Sequence, residues 1–257
     1  MPPYPPPYVG VQPVPRNPPL GDLPDDRVPI SGFTGVIESI LRQPRRVMYQ
    51  LRQAGQGALF LNLLLLALVC SAIYGLVVGT FSLHDQLWAA PLKVVLGLLL
   101  SAFICLPSLY IFSALSGSQA RLVEVFGMLA GLLALSTILL VGFAPVAWVF
   151  SQSTQSVPAM GALHLIFWFI SSYFGLRFLY HGLKHLGLRS TSGLAVWMII
   201  FIMVALQMTT TLRPIVGTDK TFLPALTEKK FFLTHWADCL APTNAPTAPA
   251  KADFTRQ

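Results

Sequence analysis

Five long apolar stretches limit what this chain can fold into more than any other feature. As uncharged runs they are Ala58–Phe81, Val94–Leu115, Val125–Phe150, Val157–Leu176 and Gly193–Leu212. Each is about 20 residues or longer, the helix length that crosses a bilayer core. A soluble helix of that length keeps a polar face for water, and none of these has one. The predicted fold class is therefore all-α: a polytopic membrane bundle of five transmembrane helices over residues 57–213. The composition, 54% hydrophobic and only 11% charged, lies outside the usual range of a soluble domain. Short loops between the runs leave no room for a separate soluble catalytic domain.

Lys and Arg fall in alternate gaps. Arg42, Arg45, Arg46 and Arg52 precede span one, Arg121 lies between spans two and three, and Arg177, Lys184 and Arg189 lie between spans four and five. Ser82–Lys93 carries one Lys at the membrane edge, and Ser151–Ser156 carries no charge. The positive-inside rule then places the N-terminus in the cytoplasm and the C-terminus outside. Arg213, Lys220, Lys229 and Lys230 run against the bias, but positive charge after the last span has the least leverage on topology. The net charge of +7 does not point to nucleic acid, because the arginines sit where they meet anionic headgroups. Anionic lipid is the expected partner there, with Arg42, Arg45, Arg46, Arg52, Lys184 and Arg189 as the contact residues.

Ahead of the bundle, residues 31–56 read as an amphipathic interfacial helix. Phe33, Val36, Ile37, Ile40, Leu41, Val47, Met48 and Leu51 have the spacing of one helical face, with the arginines on its flanks. Pro44 removes a helical hydrogen bond, so a break is expected near Gln43 with Pro44 in the first turn of a second helix. Residues 1–30 are proline-rich and lack an apolar signal region, which predicts an extended, disordered arm and a permanent first span. Pro5-Pro6-Pro7-Tyr8 matches the pattern that WW domains bind, although a Pro/Tyr-rich segment produces it readily by chance. The Ala/Pro/Thr-rich tail, 241–257, is expected to be disordered as well.

Candidate chemistry is sparse. His181 and His185 share a helical face, as metal ligands can, but Lys184 beside them opposes a cation and no third ligand lies nearby. The alternative is a basic surface that touches lipid phosphates. His164 reads as a hydrogen-bonded packing residue, and Asn62 as an interhelical hydrogen-bonding group. No Asp, Glu, Lys or Arg falls in the interior of an apolar run, where a proton relay or ion site needs one. Intramembrane hydrolysis needs a Ser beside a deep His or Lys, an Asp pair, or HExxH, and none is present. No catalytic residue, cofactor or metal site is therefore assigned. Cys70 and Cys105 read as small packing groups and Cys239 as a lone tail thiol.

Packing signals are clearer. Gly75 and Gly79, and again Gly127 and Gly131, fit the GxxxG spacing that lets helix backbones approach closely. Pro107 and Pro145 lie inside spans two and three, where each is expected to kink its helix, either opening a cavity or serving packing.

The arginine-flanked core Ile40-Leu-Arg-Gln-Pro44-Arg-Arg, followed by five closely spaced spans, resembles the Yip-type membrane proteins, especially their bacterial members. The runs Leu92–Ser101, Cys105–Tyr110, Val141–Trp148 and Gln207–Gly217 are similar to those of an uncharacterised bacterial group of such proteins. The resemblance covers roughly residues 33–217. It implies a five-span fold in the inner, cytoplasmic membrane and a non-enzymatic role with a membrane protein partner. The acidic determinants of small-GTPase binding in eukaryotic relatives are not recognisable here, so that partner does not transfer. The expected function is a membrane scaffold or accessory subunit, with a small-solute channel or permease component as the alternative.

Beyond span five, residues 214–240 form an expected outer-side segment. Pro214 should end the last helix. Phe231, Phe232, Leu233, Trp236 and Leu240 then give a short apolar stripe beside Glu228, Lys229 and Lys230. Such a stripe rests at the outer interface or docks a partner, with Phe231, Phe232 and Trp236 as the docking residues.

Overall fold

A computed structural model describes residues 18–53, 55–80, 86–153 and 157–211, which are helical with short connections. Eight helices follow in order: α1 (Pro24–Arg27), α2 (Gly32–Arg42), α3 (Pro44–Gln50), α4 (Gly57–Gly79), α5 (Gln86–Leu115), α6 (Leu122–Ser153), α7 (Val157–His185) and α8 (Ser192–Thr211). Four of them, α4 to α7, are long and apolar enough to cross a membrane, and α8 is a shorter apolar helix among the described residues. The chain is thus a helical, multi-pass membrane protein by its architecture.

The long helices alternate in direction. Across the bundle the order is α7, α6, α4, α5, α8, so chain neighbours α5 and α6 are separated by α4. Helix α6 is the central element. Its best apolar window is 72% buried, against 28–44% for the other three spans. The rest turn apolar stripes outward, as with Leu61, Leu65, Val69, Ile73 and Leu76 on α4. Their i, i+4 and i, i+3 spacing makes one continuous outward apolar strip.

Small residues set the close approaches. A Cβ on Gly75 would come within 2.5 Å of Pro91 Cα in α5, and one on Gly127 within 2.9 Å of the Leu51 side chain. Gly131 lies under the Phe178 ring of α7, and Gly79 is buried in α4. The α7 face toward α6 adds two glycines outside any GxxxG pattern: Gly175 against Ser136 and the Leu132 carbonyl, and Gly182 against Met128. Asn62, expected to bond between helices, is instead half-buried within two turns of the α4 start and makes no side-chain hydrogen bond among the described residues. At that depth headgroups and water can satisfy its amide. The helices run unbroken through Pro107 and Pro145, and α5 also through Pro91.

The break at Gln43 is present, with Pro44 opening α3. The apolar face of α2 and α3 divides: Phe33 and Leu41 stay exposed. Val36, Ile40, Val47, Met48 and Leu51 join the bundle's own core, and the two helices pack across the ends of α4, α6 and α7. Burial of these five side chains removes apolar area from water and holds the two helices against the bundle.

Candidate functional site: a basic cap at one end of the bundle

The starts of α4, α6 and α8 and the ends of α5 and α7 share one end, where α1 to α3 also sit. Here the arginines expected at lipid headgroups divide into two sets. Arg45 turns inward: its Nη2 donates to the Pro18 carbonyl at 3.0 Å and the Pro19 carbonyl at 3.1 Å, and lies 3.3 Å from Asp26 Oδ2. Arg46 donates to the carbonyls of Val28 (2.8 Å) and Pro29 (2.9 Å). Gln50 receives the Ile30 amide at 3.0 Å and donates to the Val28 carbonyl. These contacts strap residues 18–30 along α3. The arm expected to be disordered through residue 30 is, in this portion, bonded to the cap, because an arginine fork satisfies the unpaired carbonyls that a proline-rich strand offers.

The strap depends on a tight fold at its start. Gly21 has φ +94° and lies against the Tyr49 ring, while its amide donates to Asp26 Oδ2 at 3.0 Å. Only glycine adopts that backbone beside an aromatic face without strain.

Beside the strap, two loops are joined through their backbones. Arg189 and Ser190 amides donate to the Ser116 carbonyl at 2.9 and 3.2 Å, and the Gln119 amide donates to the Leu186 carbonyl at 3.2 Å. Each loop begins with the same device. Helix α5 ends with Gly117 at φ +84° and a Ser118 amide bonded to the Ser113 carbonyl; α7 ends with Gly187 at φ +87° and a Leu188 amide bonded to the Leu183 carbonyl. Both are Schellman ends, which fix where the chain leaves the helix.

An open cleft of about 460 Å³ lies among these elements, lined by Arg52, Arg121, Arg189, His185, Gln119 and Glu124 and by the loop backbones. Glu124, in the first turn of α6, accepts the Arg121 amide at 2.8 Å, half of a capping box, and its other oxygen is 3.8 Å from the Arg121 guanidinium. The structure therefore gathers Arg52 and Arg189 in the cleft, leaves Arg42 exposed in a pair with Glu38 at 3.2 Å, and leaves Lys184 exposed outside the lining. His181 and His185 part company: His185 lines the cleft, whereas His181 is exposed and sits edge-on to Tyr180. Arg121, Gln119 and Glu124 were not singled out as site residues by sequence, since nothing in the sequence marks the α5–α6 loop as a neighbour of Arg52.

Deeper in the bundle, Tyr74 Oη and His164 Nδ1 are 2.7 Å apart, with rings edge-to-face at 5.6 Å. Trp197 is fully buried and donates Nε1–H to the Cys105 carbonyl at 2.9 Å, joining α8 to α5. Phe231, Phe232 and Trp236, the Pro5–Tyr8 pattern, Pro214 and the 241–257 tail lie outside the described residues. No family model, curated protein or solved structure matches this chain.

Proposed function

We propose that this chain is a non-enzymatic scaffold or accessory subunit of a membrane protein complex, with the Yip-type architecture its sequence resembles. In this reading α8 is the fifth span, the membrane is the inner, cytoplasmic one, and the basic cap faces the cytoplasm as the positive-inside rule demands. The observation that supports it best is the cap itself. Arg45, Arg46 and Gln50 convert a proline-rich strand into a fixed polar surface on one end of the bundle. A rigid, hydrogen-bonded surface offers a partner a binding face with little ordering cost. Anionic lipid around Arg42 and Lys184 would hold the cap at the headgroup plane. Phe231, Phe232 and Trp236 are a second docking element on the opposite side in this reading.

Purification in a mild detergent after chemical cross-linking tests the proposal. A membrane protein partner recovered in fixed stoichiometry supports it. Recovery of the protein alone, combined with solute flux in reconstituted vesicles, would favour the channel reading instead.

A further inference from the structure

We propose that the cleft between Arg52, Arg121 and Arg189 binds a phosphate group, carried by a lipid headgroup or by a small soluble phosphate ester. Three arginines, each exposed, line it from three separate places: the end of the cap, the α5–α6 loop and the α7–α8 loop. The backbones of the two loops that carry Arg121 and Arg189 are held together. The two Schellman ends aim the loops, and the amides of Gln119, Arg189 and Ser190 bond one loop to the other. The stem of Arg189 lies over Gly117, close enough that a Cβ there would meet its Cδ at 3.3 Å.

Charge accounting separates these arginines from the rest of the basic end. Arg45, Arg46 and Arg42 are engaged by Asp26, by backbone carbonyls and by Glu38. Among the described residues Arg52 and Arg189 have no ion pair or side-chain hydrogen bond. The lining's one acid, Glu124, accepts the Arg121 amide and offsets the Arg121 guanidinium at 3.8 Å, which leaves the charges of Arg52 and Arg189 uncompensated in the cleft. Like charges held in one cleft repel, and an anion between them removes that repulsion. A guanidinium fork matches the tetrahedral oxygens of phosphate, and Gln119 and His185 add neutral hydrogen-bonding groups to the same wall. The start of α4, five residues beyond Arg52, places the cleft near the plane where lipid phosphates lie. This inference does not rest on the scaffold reading.

Native mass spectrometry of the full chain in a neutral detergent tests it, with dioleoyl phosphatidylglycerol, dioleoyl phosphatidic acid and dioleoyl phosphatidylcholine as lipid probes. Inorganic phosphate and glycerol 3-phosphate are the soluble probes. The chain should retain an anionic lipid or a soluble phosphate in preference to phosphatidylcholine. Arg52→Gln/Arg189→Gln should weaken that binding by about tenfold or more, because charge-assisted contacts are lost. Arg42→Gln/Lys184→Gln removes the same charge from the exposed lipid-facing rim outside the cleft and should weaken binding severalfold less than the cleft pair, because no cleft contact is lost. Should the first pair fail to fold, Arg52→Lys/Arg189→Lys keeps the charge and should still weaken binding, since the fork is gone. Retention of anionic lipid without competition from soluble phosphate identifies the headgroup as the source; binding of glycerol 3-phosphate in lipid-free detergent identifies a soluble ester. Equal loss in the two Gln pairs, or no preference over phosphatidylcholine, overturns the proposal.

Discussion

Gly175 and Gly142 show how one residue type answers to its surroundings. A Cβ at Gly175 would collide with Ser136 Oγ and come within 2.9 Å of the Leu132 carbonyl, whereas nothing lies within 4 Å of one at Gly142. Because the Leu132 oxygen is backbone, α6 and α7 must separate to admit a side chain. Gly175→Leu should destabilise the protein by about 1–3 kcal/mol, while Gly142→Ala should be neutral or stabilising by up to about 1 kcal/mol. Reversible unfolding in mixed micelles checks both, and equal effects would disprove the packing assignment. Trp197→Phe removes the bond to the Cys105 carbonyl and puts a smaller ring in a fully buried site. Its expected loss is about 1–3 kcal/mol in the same assay, from the lost bond and the cavity together. The GxxxG pairs were legible because their spacing alone encodes the face. Gly175 and Gly182 were not, because a seven-residue interval carries meaning only once α6 is known to lie opposite.

Among the elements, α3 determines what becomes of the proline-rich strand. Arg45 and Arg46 precede a span and carry the charge of headgroup-facing arginines, so their sequence context points to lipid. Their carbonyl partners lie 17 to 27 residues upstream, in a segment whose composition resembles a disordered arm. Nothing local encodes that pairing; the helix break at Pro44, which is local chemistry, was fully legible. Arg45→Gln should release the strap while leaving α4 to α7 assembled. Hydrogen exchange should then show the Gly21 and Ile30 amides losing protection by about tenfold or more, the consequence of roughly one charged hydrogen-bond set removed. Arg42→Gln, whose exposed pair with Glu38 is worth little, should leave both amides unchanged. Protection that persists in the Arg45 variant would mean that apolar contacts alone hold the strand.

For the whole molecule, the number and length of the apolar runs made the helical bundle legible, since a chain with so little polar surface has few other folds open to it. The order of helices across the bundle was not legible: α4 lies between α5 and α6, and short loops alone predict chain neighbours side by side. The cleft was hidden for a related reason, as Arg52, Arg121 and Arg189 meet only after the antiparallel helices bring both loops to the cap. The central claim is that an odd number of spans carries the basic cap on the cytoplasmic side. Single cysteines, in a background with Cys70, Cys105 and Cys239 replaced, test it by labelling intact cells with a membrane-impermeant maleimide. Cysteines at Gln12, Gln119 and Ser190 should react only after permeabilisation, and those at Gln152 and Lys251 should react in intact cells. Labelling of positions 12 and 251 from the same side would mean an even number of spans and would contradict the account.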